Sequence, residues 1–231
     1  MGYNPHQRTR VHWDTVNERR PVWDIRTPVV CRYLDACYVE EFFQYGRIRL
    51  SSFAEFAQHK DEQRMDALEG VATLTGMGPA QTTFAQVRAG PNALVLCGSV
   101  LESRDLMHVF GVNSYFRITD TIAFSQTIAA RLEGYAGGIE GYCHYKGTRV
   151  IRRRVPFDPK DFELNGGGLA MADMSRYIAM IAGTEVYLLK HHDYAHQCEY
   201  RFVWKVKNDN PRSLVLECPD AVQFCERGSL D

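Results

Sequence analysis

The sequence predicts an α+β protein, with a mixed, mainly antiparallel β core of split sheets and a few short helices. Short β-branched runs alternate with short amphipathic segments, one late stretch has a strict two-residue period, and no internal repeat is present. A chain of 231 residues with 45% hydrophobic residues is long enough to bury a sizeable core. We therefore expect a single domain over residues 1–231, with residues 1–28 as an N-terminal arm.

Composition and charge exclude several classes of protein. Lys and Arg number 27 and Asp and Glu number 28, so the formal charge of −1 excludes binding to nucleic acid or an anionic membrane through overall charge. Seven cysteines without a CxxC pair predict neither a zinc ribbon nor a disulfide framework. No apolar stretch approaches the ~18 residues that span a bilayer, so we expect a cytoplasmic protein with no membrane partner.

The first elements after the arm follow from local patterns. Residues 29–34 are β-branched and predict a strand, and Asp35 is placed to cap a helix that ends before Gly46. In the next strand, residues 47–52, apolar and polar side chains alternate as they do on a half-buried sheet. Ser52 and Glu55 form a capping-box pattern that predicts a further helix.

The rest of the chain is predicted to be mainly strands. Glycines separate short β-prone runs, and two segments have the period of helices. The predicted elements are three strands within 71–100, a strand at 108–118, a helix at 121–133 capped by Thr119 or Asp120, a hairpin over 138–155 turning at Lys146 and Gly147, a helix at 170–182 ended by Gly183, a strand at 184–190, a turn at 191–196, and strands at 197–207, 214–218 and 221–225.

The strand at 197–207 carries the main chemical signal. Its period of two places Tyr200 and its aromatic neighbours on one face, and Glu199 and Arg201 side by side on the opposite face. A surface ion pair is the plain interpretation of this spacing. A catalytic carboxylate beside a cation is the functional one.

Three segments give the chain a resemblance to a known superfamily. CRYLDACYVEEFFQYGRIRLSSFAEF, VLCGSVLESRDLMHVFG and KHHDYAHQCEYRFVW follow one another in the order seen in an uncharacterised bacterial domain family, which in turn resembles the ADP-ribosyltransferase superfamily. The resemblance covers about residues 29–206. It lacks the first-strand histidine of one branch and the Ser-Thr-Ser and Glu-x-Glu patterns of the other, so the acceptor stays open.

The resemblance implies roles for six residues. Glu199 corresponds to the catalytic glutamate, Arg32 or Tyr33 to the first-strand residue that holds NAD, and Ser51 and Ser52 to the second-strand serine position. A guanidinium suits the pyrophosphate, which adds Arg201 to the cofactor-binding set. NAD would be the substrate, with no metal expected.

The implied function is an NAD-dependent ADP-ribosyltransferase-like enzyme that transfers ADP-ribose to a macromolecule, protein or nucleic acid. A bacterial toxin or anti-phage effector fits this chemistry, with an antitoxin or a second copy of the chain as a possible partner. The alternative is a non-catalytic module on the same fold, which binds nucleic acid or protein through the arginines of residues 149–154.

Structural and metal-binding alternatives also stay open at this stage. Ser52 has the position of an N-cap, and Arg32 has several carboxylates within reach as ion-pair partners. His192 and His196 are four residues apart, and nearby lie His191, Asp193, Cys198 and Glu199, a mixture of ligand types that binds zinc in other proteins. Because an HxxxH pair needs a helix and this segment joins two strand patterns, the metal site is the weaker hypothesis.

Overall fold

The structure is a computed structural model that describes residues 10–13, 21–24, 27–52, 70–77, 82–154, 158–165, 167–208 and 212–229. The first half of the chain contains β1 (Arg10–Trp13), β2 (Pro21–Asp24), β3 (Val30–Leu34), α1 (Ala36–Tyr45), β4 (Arg47–Ser52), β5 (Val71–Met77), β6 (Thr82–Arg88), β7 (Ala93–Ser99), α2 (Arg104–Val109) and β8 (Ser114–Ile118). The second half contains α3 (Thr121–Arg131), β9 (Tyr135–Tyr142), β10 (His144–Lys146), β11 (Val150–Arg153), α4 (Met171–Ala182), α5 (Glu185–Leu188), β12 (Leu189–His191), β13 (Glu199–Val206), β14 (Leu214–Glu217) and β15 (Cys225–Arg227). Three 3-10 helices cover Pro159–Phe162, His192–Gln197 and Pro219–Phe224.

An antiparallel sheet of eight strands forms the centre of the fold. Its order is β14-β4-β7-β3-β8-β15, and β13 pairs with both β7 and β9. A smaller sheet has the order β11-β5-β6, and β10 pairs with β12 in parallel. The predicted α+β class with a mainly antiparallel β core is confirmed.

The large sheet splits along one edge of β7. On one side, β13 pairs with every residue of β7, from Glu199 opposite Ser99 to Lys205 opposite Ala93. On the other side, β4 reaches only Leu94 and Val95, whereas β3 reaches only Ser99. The two strands therefore diverge around residues 96–98, and a cleft opens between them.

Two hydrophobic cores hold these layers together. The main core packs α1 and α3 on the large sheet, with Phe42 stacked on Phe116 at a ring-centroid distance of 4.5 Å. Trp204 lies in the same core, and its indole Nε1 donates a hydrogen bond to the carbonyl of Ser125 at 2.9 Å. A second core joins the small sheet to α4, α5 and β12.

The elements from β3 to β7 and α3 lie close to their predicted positions. Helix α1 begins after Asp35, although the Asp35 side chain makes no capping hydrogen bond, and it ends at Gly46 with φ of 70°. Of the two candidate caps of α3, Asp120 is the one that accepts from a helix amide, that of Ala123 at 2.9 Å. The helix predicted after Ser52 lies outside the residues that the structure describes. For the predicted arm, the structure describes the antiparallel pairing of β1 with β2 but not the packing of the side chains.

Four predicted elements are wrong. Residues 108–118 are not one strand, because Ser103 caps α2 and only 114–118 pair as β8. The predicted hairpin over 138–155 divides into β9, β10 and β11, each of which pairs with a strand distant in sequence. Residues 184–190 form α5 before β12, and residues 221–225 lie mostly in a 3-10 helix that precedes β15.

In the segments that the structure describes, no helix has both the length and the apolar character needed to cross a bilayer.

Replacing Gly46 tests the junction between α1 and β4. A Cβ on Gly46 would lie 2.2 Å from the backbone nitrogen of Pro219, and the φ of +70° adds the left-handed penalty of about 1–2 kcal/mol. We expect Gly46→Ala to lower the free energy of unfolding in urea by more than about 3 kcal/mol. Gly111→Ala is the matched control, since its φ is +62° and no atom lies within 4 Å of the added Cβ. Equal losses in the two variants would contradict the close approach at Gly46.

Candidate functional site

The cleft between β3 and β4 leads into a cavity of about 680 Å³. This volume lies within the range of ~300–1,000 Å³ that is usual for small-molecule sites. Among the residues proposed from the sequence, the cavity wall includes Arg32, Tyr33, Ser51, Glu199 and Arg201. These side chains come from three strands that meet only because the sheet splits at β7.

Strand parity separates the two candidate serines. Along β4, Arg47, Arg49 and Ser51 share the face that lines the cavity. Ser52 is buried outside the cavity wall, and its amide donates a hydrogen bond to the Ser213 hydroxyl at 3.1 Å. Of the two, only Ser51 can touch a ligand in the cavity.

Glu199 and Arg201 do not form a surface ion pair, which corrects the plain interpretation of their spacing. They are 6% and 1% exposed, because β13 lies between β7 and β9 and both of its faces are covered. The Arg201 guanidinium donates from Nε to Glu199 Oε1 at 2.5 Å and from Nη1 to the Tyr187 carbonyl at 2.9 Å. The pair is therefore part of the interior wall of the cavity.

Lys190 completes what we call the Glu199 triad, consisting of Lys190, Glu199 and Arg201. Its ammonium binds Glu199 Oε2 and also donates to Gln197 Oε1 at 2.8 Å. Lys190 is 6% exposed and lines the same cavity. Two cations therefore hold the two oxygens of one buried carboxylate.

The triad keeps Glu199 ionised. Burial alone raises the pKa of the Glu199 carboxyl, but the charges and hydrogen bonds of Arg201 and Lys190 outweigh it and hold this pKa well below its usual range. A carboxylate that stays ionised can stabilise a developing positive charge but cannot act as a general acid near neutral pH.

The backbone around Glu199 is fixed from two sides. Its amide donates to the Tyr145 hydroxyl at 2.7 Å, and its carbonyl accepts from the Cys143 amide at 2.9 Å. The preceding residue, Cys198, has φ of 44°, which is the one left-handed non-glycine residue in the described chain. Such a conformation costs on the order of 1–3 kcal/mol and is often found at functional sites.

Arg32 and Tyr33 make different contacts at the cavity wall. Arg32 lines the cavity and donates from Nη1 to the Cys97 carbonyl at 2.7 Å, in the gap between the pairings of β3 and β4 with β7. Tyr33 is buried, donates to the Leu101 carbonyl at 2.7 Å and accepts from the Ser103 amide at 2.8 Å. The Tyr33 hydroxyl therefore fixes the segment that leads into α2.

The cavity wall has an excess of positive charge. Its described lining residues include five cations, Arg32, Arg47, Arg49, Lys190 and Arg201, and three carboxylates, Asp35, Glu41 and Glu199, a formal sum of +2. An enclosed site with such a field favours an anionic ligand.

Lys190 is the functional residue that the sequence analysis missed. It ends the predicted strand 184–190, and its spacing from Glu199 has no regular period. The available signal was the predicted turn at 191–196, because a reversal of the chain there brings the residues on either side of it together.

The alternative sites are arranged differently from their predictions. The ligand atoms that converge within 4.8 Å belong to His191, His192 and Asp193, not to the pair His192 and His196. In the arginine cluster, Arg153 donates to the carbonyls of Ile181 and Ala182 and to the carboxylate of Glu185, whereas Arg152 and Arg154 are exposed. Residues 149–154 therefore do not present one continuous basic stripe.

The low pKa of Glu199 predicts a specific acid sensitivity. A carboxyl with a depressed folded-state pKa contributes stability that is present above its unfolded pKa of ~4.3 and is lost as the pH falls toward the folded value. We expect the free energy of unfolding of the wild type to fall more steeply between about pH 5 and pH 3 than that of Glu199→Gln. Urea titrations across this range measure the difference, and identical pH profiles would contradict the ionised triad.

All three segments behind the transferase resemblance contribute to the cavity. Arg32 and Ser51 come from the first, Cys97 from the second and Glu199 from the third. The relationship itself stays a prediction. No protein-family model, no curated protein and no solved structure matches the chain.

Proposed function

We propose that the protein binds NAD in the cavity and transfers ADP-ribose from it to a macromolecule, with Glu199 as the catalytic residue. The observation that carries the proposal is the position of Glu199, an ionised and buried carboxylate on the wall of a split-sheet cavity that also holds Arg32 and Ser51. The acceptor in this proposal is a protein or a nucleic acid, and the role proposed with it is that of a toxin or defence effector.

Glu199 suits the bond that this reaction breaks. The bond from ribose C1′ to the nicotinamide nitrogen breaks, its electron pair leaves with nicotinamide, and positive charge develops on the ribose. A carboxylate directed at the ribose stabilises this charge more in the transition state than in the ground state. The acceptor then forms a bond to C1′ and loses its proton.

The remaining lining residues suit the rest of the dinucleotide. Arg32 and Arg49 offer guanidinium groups to the pyrophosphate, and Ser51 offers a hydroxyl to a ribose. Tyr38 also lines the cavity and is 56% exposed, so its ring is available to stack on a base. Cationic, hydroxyl and aromatic groups thus match the three chemical parts of NAD.

The non-catalytic alternative has weaker support. Binding through residues 149–154 needs several arginines directed at one partner, but Arg149 and Arg153 donate to main-chain carbonyls of their own chain. Only Arg152 and Arg154 of the described arginines in this segment are exposed.

Substitution of Glu199 tests the catalytic role. With NAD and a bacterial lysate as the source of acceptors, we expect Glu199→Gln to reduce nicotinamide release at least ~100-fold, because the developing charge loses its carboxylate. Glu185→Gln is the matched control, since Glu185 also bridges a lysine and an arginine, Lys146 and Arg153, outside this cavity. A rate that is unchanged in Glu199→Gln would remove Glu199 from the mechanism.

Substitution of Arg32 tests NAD binding separately from chemistry. We expect Arg32→Gln to raise KM for NAD about tenfold with a smaller change in kcat, because a charge-assisted hydrogen bond contributes ~1.5–3 kcal/mol. Arg152→Gln, which changes an exposed arginine outside the cavity, should leave both constants unaltered. An unchanged KM in Arg32→Gln would remove Arg32 from the NAD-binding residues.

A further inference from the structure

Lys190 has no place in the transferase scheme, although it contacts the central residue of the site. It lies on β12, which pairs with β10 and not with the large sheet. Its ammonium nevertheless reaches across to Glu199 Oε2 and lines the cavity. A second sheet therefore supplies a buried cation to the wall of the split.

The cations of the Glu199 triad are held in place independently of Glu199. Gln197 Oε1 accepts from the Lys190 ammonium at 2.8 Å, and this ammonium lies 4.9 Å from the centre of the Tyr194 ring. The Tyr187 carbonyl accepts from Arg201 Nη1 at 2.9 Å. Both donors can therefore keep their positions if the carboxylate moves.

The Glu199 side chain, in contrast, is held mainly by charge. The backbone is fixed through Tyr145 and Cys143, so a change of side-chain rotamer is the motion available to the carboxylate. A carboxylate and a phosphate accept hydrogen bonds from guanidinium and ammonium groups in the same way. A ligand phosphate in the cavity thus meets donors that already hold an anion of the same kind.

We propose that Lys190 and Arg201 form a phosphate subsite for which Glu199 and one phosphate of the ligand's pyrophosphate compete, while Arg32 and Arg49 are left to bind the other phosphate. When the pyrophosphate binds Lys190 and Arg201, the Glu199 carboxylate is released from both cations and turns toward the ribose. The ligand thereby activates its own catalytic carboxylate. The identity of the phosphate donor as NAD rests on the proposed function, whereas the competition itself does not.

Competition has a consequence that a purely structural triad lacks. Removing the charge of Glu199 removes the competitor, so a phosphate ligand should bind more tightly. If Glu199 instead stayed on its two cations, Glu199→Gln would only relieve the repulsion between two anions, and Lys190→Met would leave the affinity for pyrophosphate unchanged. Tighter binding in Glu199→Gln together with weaker binding in Lys190→Met therefore separates the two roles.

The experiment is calorimetric titration of the full chain with inorganic pyrophosphate at low ionic strength. We expect Glu199→Gln to bind about tenfold more tightly than wild type, and Lys190→Met at least tenfold more weakly. Lys146→Met is the matched control, because Lys146 also binds a carboxylate, that of Glu185, outside this cavity, and its affinity should equal that of wild type. Pyrophosphate should also raise Tm more in Glu199→Gln than in wild type.

Two results would overturn the competition. One is weaker or equal binding in a folded Glu199→Gln protein, and the other is wild-type affinity in Lys190→Met. If Glu199→Gln does not fold, the pyrophosphate affinities of Lys190→Met and Lys146→Met are sufficient to test the subsite. Nicotinamide release from NAD is a separate readout. If pyrophosphate competes with Glu199 but NAD releases no nicotinamide, the phosphate subsite is retained and the proposed function is rejected. If nicotinamide is released without such competition, the proposed function is retained and the subsite is rejected.

Discussion

The cavity depends on the pairing of two strands, β4 and β3, with different ends of the same edge of β7. β4 pairs at the beginning of β7 and β3 at its end, and between these two pairings the Cys97 carbonyl accepts a hydrogen bond from the Arg32 guanidinium. Gly98 makes the approach of β3 possible, because a Cβ there would lie 2.4 Å from Val30 Cγ1. The arginine proposed to bind NAD thus also donates a hydrogen bond to the backbone at the split.

The opposite edge of β7 pairs with β13, the strand that carries the Glu199 carboxylate. Continuous pairing with β13 places Glu199 beside Ser99, at the level where β3 joins the sheet. Burying three charges is costly. Removal of one partner of a buried ion pair leaves an unpaired charge and destabilises the folded protein by about 3–5 kcal/mol. Well-packed apolar residues often replace buried ion pairs without loss of stability, so the triad is weak evidence for a contribution to folding.

Sequence patterns were sufficient where a residue's environment is local. The period of two in β4 and β13, the glycine at 46 and the aspartate at 120 each act within a few residues, and the corresponding elements were predicted closely. Burial of Glu199 could not be inferred, because the face of β13 that carries it is covered by Lys190 of β12, a strand that belongs to a different sheet. The same reason hid Lys190, whose position follows from the parallel pairing of β10 with β12.

The net charge of the chain and the charge of the cavity lead to different conclusions about ligands. A formal charge of −1 gives little long-range attraction for any polyanion, whereas the described cavity wall sums to +2. Because water screens the exposed charges and burial preserves those inside, the positive field acts mainly on a group small enough to enter the split. A compact phosphate on a flexible ligand meets this condition, and a rigid duplex does not. The electrostatics of the fold therefore select for a small anionic ligand inside the cavity, even if the final acceptor is a macromolecule at its entrance.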